Sequence, residues 1–151
     1  MKELLLAIHP TTGVLAILTA VWVFVEALNA SASNQARLWI ASIATLMLMV
    51  VTWIAGGYWY VTYYAIDKAI ILKGPWPLAH TLVMETKEHL FFITLILCVL
   101  LPIVIKTNNI VTNRSARTLV LVVAALIVLS AFTMEGAGAI ISMGVRVGLG
   151  Q

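Results

Sequence analysis

Three histidines, one short acidic and basic run and a lone late carboxylate carry the chemistry available to this chain. The run His80-Thr81-Leu82-Val83-Met84-Glu85-Thr86-Lys87-Glu88-His89 places two imidazoles, two carboxylates and an amine within ten residues. His9 precedes Pro10 near the start, and Glu135 opens Glu135-Gly136-Ala137-Gly138 near the end. Gly56-Gly57-Tyr58-Trp59-Tyr60, with Tyr63 and Tyr64, adds phenols and glycine-sized gaps. Imidazoles can hold haem iron or exchange protons near neutral pH. Imidazoles mixed with carboxylates suit iron, manganese or zinc. In a dry interior the same groups relay protons.

The elements that position these groups follow from composition. Of 151 residues, 62% are hydrophobic and 10% charged. A soluble domain carries roughly 25% charged residues. A soluble exterior cannot be built from so few charges, whereas lipid accepts an apolar one. The net charge of +3 does not indicate nucleic acid, because Lys and Arg are scattered at span ends, where they anchor helices in membranes. The lone Cys98 excludes an intrachain disulfide and the C-x-x-C-H attachment of c-type haem. It reads as a small buried hydrophobe. The first apolar run is too long for a signal peptide, and Asn29-Ala30-Ser31 and Asn113-Arg114-Ser115 read as chance glycosylation matches.

Four segments have the roughly 20 apolar residues that a bilayer crossing needs. They run from about 4 to 29, 38 to 66, 78 to 105 and 118 to 146. Pro10 biases the regular helix to begin there, with His9 at its mouth and the preceding residues as a lead-in or kinked extension. Residues 67–77, broken by Gly74-Pro75-Trp76-Pro77, read as a loop. Pro102 predicts a kink in the third span. Short loops make successive helices antiparallel neighbours, so the expected fold is all-α, a single-domain, up-down four-helix membrane bundle. Both termini and the 67–77 loop share one end, called end A. Basic loop residues balance between the ends, so orientation is left open.

Depth gathers the unusual residues. His9, His80, Glu85, Lys87, Glu88, His89, Glu135 and the tyrosines all fall in the half toward end A. Glu26 falls toward the other end, where a basic loop residue can pair with it. At 100° per residue, Thr81, Glu85, Glu88, His89 and Phe92 share one face of the third helix, while His80 lies half a turn from His89. Small residues mark helix contacts in membranes. Expected inward stripes are His9, Thr12, Gly13, Ala16 and Ala20; Ser42, Thr45, Met49, Thr52, Gly56, Tyr60 and Tyr63; and Ala131, Glu135, Gly138 and Ser142.

Three readings follow. The histidine-bearing first and third spans of a four-span chain resemble the small four-helix membrane cytochromes of the b type, an architectural likeness across the four spans. That resemblance implies a haem b with His9 and His89 as axial ligands, His80 as substitute, and Tyr60, Tyr63, Lys73 and Lys87 near the propionates. It implies electron transfer between a membrane quinone and a partner, as an electron-transfer protein or oxidoreductase subunit rather than an independent enzyme. The second reading is an iron, manganese or zinc site, or a proton relay or quinone headgroup site, from His9, Glu85, Glu88, His89 and Glu135. The single Glu-x-x-Glu-His departs from the paired Glu-x-x-His of di-iron bundles. The third reading is a non-catalytic subunit whose polar cluster is structural. Each group also has a plain alternative: an interfacial His9, a His89 bonded to a neighbouring carboxylate, an internal Lys87 ion pair, an aromatic interface belt. Expected surroundings are the lipid bilayer, with a membrane-protein partner or homo-oligomer, in a bacterial or archaeal cell membrane. No nucleophile triad, phosphate loop or nucleotide fingerprint is present.

Overall fold

The computed structural model describes residues 2–150. Helix α1 spans Lys2–Leu28, α2 spans Gln35–Lys73 and α4 spans Arg114–Gly148. Helix α3, Glu85–Thr107, continues directly from a π-helical turn at Ala79–Met84. Four helices, Lys2–Leu28, Gln35–Lys73, Ala79–Thr107 and Arg114–Gly148, are long and apolar enough to cross a membrane. Helices α1 and α3 stand diagonally, each packing against both α2 and α4.

Side-chain pairs establish the antiparallel register. His9 bonds Thr52 and Thr45 bonds Thr19 between α1 and α2. Gln35 bonds Ile105, and Tyr64 bonds His80, between α2 and the third helix. Thr94 bonds Ser130 between α3 and α4. The expected up-down order matches these pairs.

The boundaries differ from the hydropathy reading in two places. Helix α2 has 39 residues, about 58 Å of helix, and runs through Asp67 and Lys68 to Lys73. The 67–77 loop is therefore helical as far as Lys73. Charges end a hydropathic span but do not end a helix, and Ile71 is fully buried in a cluster with Tyr64, Ala79, Met84 and Ile141. Helix α1 is continuous through Pro10 rather than starting at it. Pro10 removes one backbone donor, the one that would reach the carbonyl of Leu6.

Two cores result. The larger, built on Ala16, Ala20, Val23, Met49, Cys98, Leu101, Val120 and Ile127, fills the bundle away from end A. The smaller closes end A, where α2 and α4 lie against the π-helical turn. A Cβ on Gly144 would lie 2.8 Å from Ala79 Cβ, whereas one on Gly136 meets nothing within 4 Å. We expect Gly144→Leu to lower stability in detergent by about 1–3 kcal/mol through overpacking. Gly136→Ala should be neutral or mildly stabilising. Thermal unfolding followed by circular dichroism separates the two. Equal behaviour would mean that end A is loosely packed.

The outer surface remains apolar: Val61, Ile96 and Leu129 are 82%, 67% and 65% exposed.

Candidate functional site: an interior His9, Lys87 and Glu135 cluster

The first stripe holds as expected. Gly13, Ala16 and Ala20 are buried, with His9 and Thr12 half-buried beside them. His9 Nδ1 donates to the carbonyl of Thr52 at 2.9 Å. That bond puts the ring proton on Nδ1 and leaves Nε2 as the acceptor of the neutral ring. The Thr12 and Thr52 hydroxyls meet at 2.7 Å. Since Thr12 spends its proton on helix carbonyls, Thr52 is the donor of that pair. The facing stripe of α2 is also as expected through Ser42, Thr45, Met49, Thr52, Gly56 and Tyr60, but its next buried member is Tyr64, with Tyr63 only half-buried.

Each of three ionisable side chains lies over a glycine on a neighbouring helix. A Cβ on Gly56 would stand 2.5 Å from His9 Nδ1, and one on Gly138 would stand 3.2 Å from Lys87 Nζ. A Cβ on Gly13 would overlap Glu135 Oε1. At Gly56 the His9 ring occupies the place of a Cβ, and at Gly13 the tip of Glu135 would have to move to admit one. The result is a cavity of about 20 Å³ lined by His9, Thr52, Lys87 and Glu135 with Met49, Phe91 and Met134. That is roughly the room one water needs. Lys87 and Glu135 border the same space without an ion pair within 4 Å among the described residues.

The three groups also share a depth. Glu135 lies about 6 Å from the midpoint of α4, and His9 and Lys87 about 9 Å from the midpoints of their helices, all toward end A. A hydrocarbon half-core is about 15 Å.

The third helix turns a different face inward from the one expected. His80 and Met84 are buried, Lys87 and Phe91 half-buried, and Thr94, Cys98 and Leu101 buried. These residues recur at alternating steps of four and three and form one stripe. The expected face is the outer one: Thr81, Glu85, His89 and Phe92 are exposed, and Glu88 is half-buried with Oε1 unpartnered. His89 turns its Nδ1 to its own helix, onto Glu85 O at 2.7 Å. His80 instead reaches Tyr64 Oη at 3.1 Å, and its Nε2 stands 3.7 Å from Glu85 Oε1. On α4, Ala131 is buried and Glu135 and Gly138 half-buried as expected, but Ser142 is exposed and Ile141 takes the inward place.

The chain matches no protein-family model, no curated protein and no solved structure.

The geometry bears directly on the groups expected from sequence. His9 lines the interior while His89 faces outward, so a haem ligated by this pair within one chain does not fit the described arrangement. The interior cavity is also far smaller than a porphyrin. Of the expected propionate partners, Lys87 and Tyr60 point inward, but toward Glu135 and Tyr64. The expected metal ligands divide likewise, His9 and Glu135 inside, Glu85 and His89 outside, and Glu88 half-buried away from the cavity lining. Among the described residues no group of three or more His, Cys, Asp or Glu is placed to hold a metal ion. At the far end Glu26 pairs with Arg37 at 3.0 Å, as expected, and also accepts from Trp22 and Asn34.

Proposed function

We propose that the chain is a multi-pass integral membrane protein whose bundle interior carries protons through His9, Lys87 and Glu135. One observation carries this reading: three ionisable groups from three helices border one small, largely apolar cavity at one depth. Ionisable groups at such depth are costly and are kept where they face a cavity or one another. The exposed apolar helix faces support lipid as the surrounding medium.

The chemistry follows from the three groups. Lys87 as an ammonium balances Glu135 as a carboxylate, so the unloaded site is neutral overall. An arriving proton has two acceptors, a Glu135 oxygen and His9 Nε2. Thr52 holds the His9 ring through Nδ1 and so keeps Nε2 available. The absence of a closed Lys87–Glu135 ion pair leaves the carboxylate free to take the proton and give it back.

The test uses the purified full chain in liposomes containing a pH-sensitive dye, with a potassium gradient and valinomycin setting an inside-negative potential. Potential-driven acidification well above protein-free liposomes is expected. Acidification no faster than the leak sinks the reading. The haem-bearing electron carrier is tested on the same preparation: a Soret band that disappears in His89→Ala would replace proton transfer by electron transfer as the function.

A further inference from the structure

We infer that the outer face of α3 is where two copies of this chain pair in the membrane, with Glu85 of each copy set against His89 of the other. The inference rests on the chain spanning a bilayer and is independent of proton transfer. Glu85, His89, Phe92, Ile96, Val99 and Ile103 are all exposed. They recur at alternating steps of four and three, so they form one stripe on the side away from the bundle interior. That spacing is the seam on which two helices pack at a shallow crossing angle.

The stripe holds the two groups that lipid tolerates least. His89 lies about 6 Å, and Glu85 about 12 Å, from the midpoint of the Ala79–Thr107 span. Both fall inside a half-core of about 15 Å. Among the described residues they are the only exposed acidic or basic side chains within that distance of a helix midpoint. Ionisable groups at such depth are paired or shielded. One copy leaves the pairing incomplete. His89 Nδ1 is bound to Glu85 O at 2.7 Å, and among the described residues Nε2 has no partner. The Glu85 side chain is 50% exposed, with Oε1 3.7 Å from His80 Nε2.

Complementarity points to a second copy. The acid and the imidazole stand one turn apart on the same stripe, and copies inserted in the same direction carry them at the same two depths. A two-fold axis along the membrane normal sets the stripe against itself, a contact that closes at two copies. Each His89 Nε2 then faces the partner's Glu85, with one proton shared between ring and carboxyl. The offset of one turn is about 6 Å, and the Nδ1 bond to Glu85 O already draws the ring toward the Glu85 level. The pair forms twice, while Phe92, Ile96, Val99 and Ile103 supply apolar packing along the rest of the seam. Polar groups within such a seam fix register and partner number.

The experiment measures Förster transfer between donor- and acceptor-labelled full chains in liposomes over a range of protein-to-lipid ratios. Wild type pairs. His89→Leu and Glu85→Leu each weaken pairing about tenfold, the scale of interhelical hydrogen bonds in a membrane. An equal mixture of the two variants regains part of the loss, because the mixed dimer restores one His89–Glu85 pair. A role for either residue within its own copy gives no such recovery. Oxidative cross-linking locates the face. Ile96→Cys forms dimers, whereas Leu18→Cys, exposed at similar depth on the diagonal helix α1, does not; the native Cys98 is buried. Undiminished pairing in both single variants, no recovery in the mixture, or cross-linking through Leu18→Cys in place of Ile96→Cys overturns the proposal. A wild type that stays monomeric overturns it in favour of lipid or a different chain on this face. A chain that alkaline carbonate strips from the vesicles overturns the membrane reading as well. Vesicles in which the chain pairs but does not acidify overturn the interior site and leave the dimer standing.

Discussion

Glu135→Gln acidifies liposomes about a hundredfold more slowly than the wild type, the scale on which positioned acid–base groups act. The substitution preserves size and shape and removes only the ability to cycle between carboxylate and acid. Glu135 lies over Gly13 and shares the cavity with Lys87 and His9, so its loss removes the negative partner of Lys87 as well as a proton acceptor. Glu135→Asp keeps the chemistry on a shorter arm and should retain partial flux. Lys87→Met tests the other half of the balance: without the ammonium, the carboxylate binds its proton tightly and the flux falls too. The same detergent-solubilised samples should elute and unfold as the wild type does. A Glu135→Gln flux within twofold of wild type would remove Glu135 from the pathway.

Gly56→Val destabilises the bundle by about 2–4 kcal/mol, combining overpacking with a lost buried hydrogen bond. The first atom of any side chain there would stand 2.5 Å from His9 Nδ1, and the ring is held in place by Thr52 O. The ring must leave, and the Thr52 bond with it. Gly57→Ala is the control, because a Cβ there meets nothing within 4 Å. It should be neutral or stabilising, since alanine suits a helix better than glycine. Thermal unfolding in detergent measures both, and flux measures what remains of the site. If the two variants unfold alike, the close approach of His9 to α2 is not a feature of the folded chain.

The site was partly legible. The small residues on α1 and the Thr52, Gly56 and Tyr60 series on α2 read directly as contact stripes, and depth alone gathered His9, Lys87 and Glu135 in one half of the bundle. The inward face of the third helix does not follow from its ionisable residues, because Glu85 and His89 face out while Lys87 lines the interior. Its signal lay in the apolar half. Thr94 and Cys98 are the small residues there, one turn apart, and stepping back by three and four reaches Phe91, Lys87, Met84 and His80. Glu85 and His89 lie on the opposite side, where His89 satisfies its Nδ1 on the Glu85 carbonyl of its own helix. Tyr63 and Tyr64 end the same aromatic run, and only packing against Ala79 and Ile141 singles out Tyr64.

Composition and span length by themselves determined the four long apolar helices, their antiparallel order and the end at which polar groups collect. Those properties depend on hydropathy and chain connectivity, which are local. Tertiary structure decided which side of the third helix faces in, how far α2 extends beyond its apolar span, and which residues meet across the interior. Those depend on neighbours distant in sequence: Gly13 beneath Glu135, Gly56 beneath His9 and Gly138 beneath Lys87. No single helix carries both the ionisable side chain and the space it occupies.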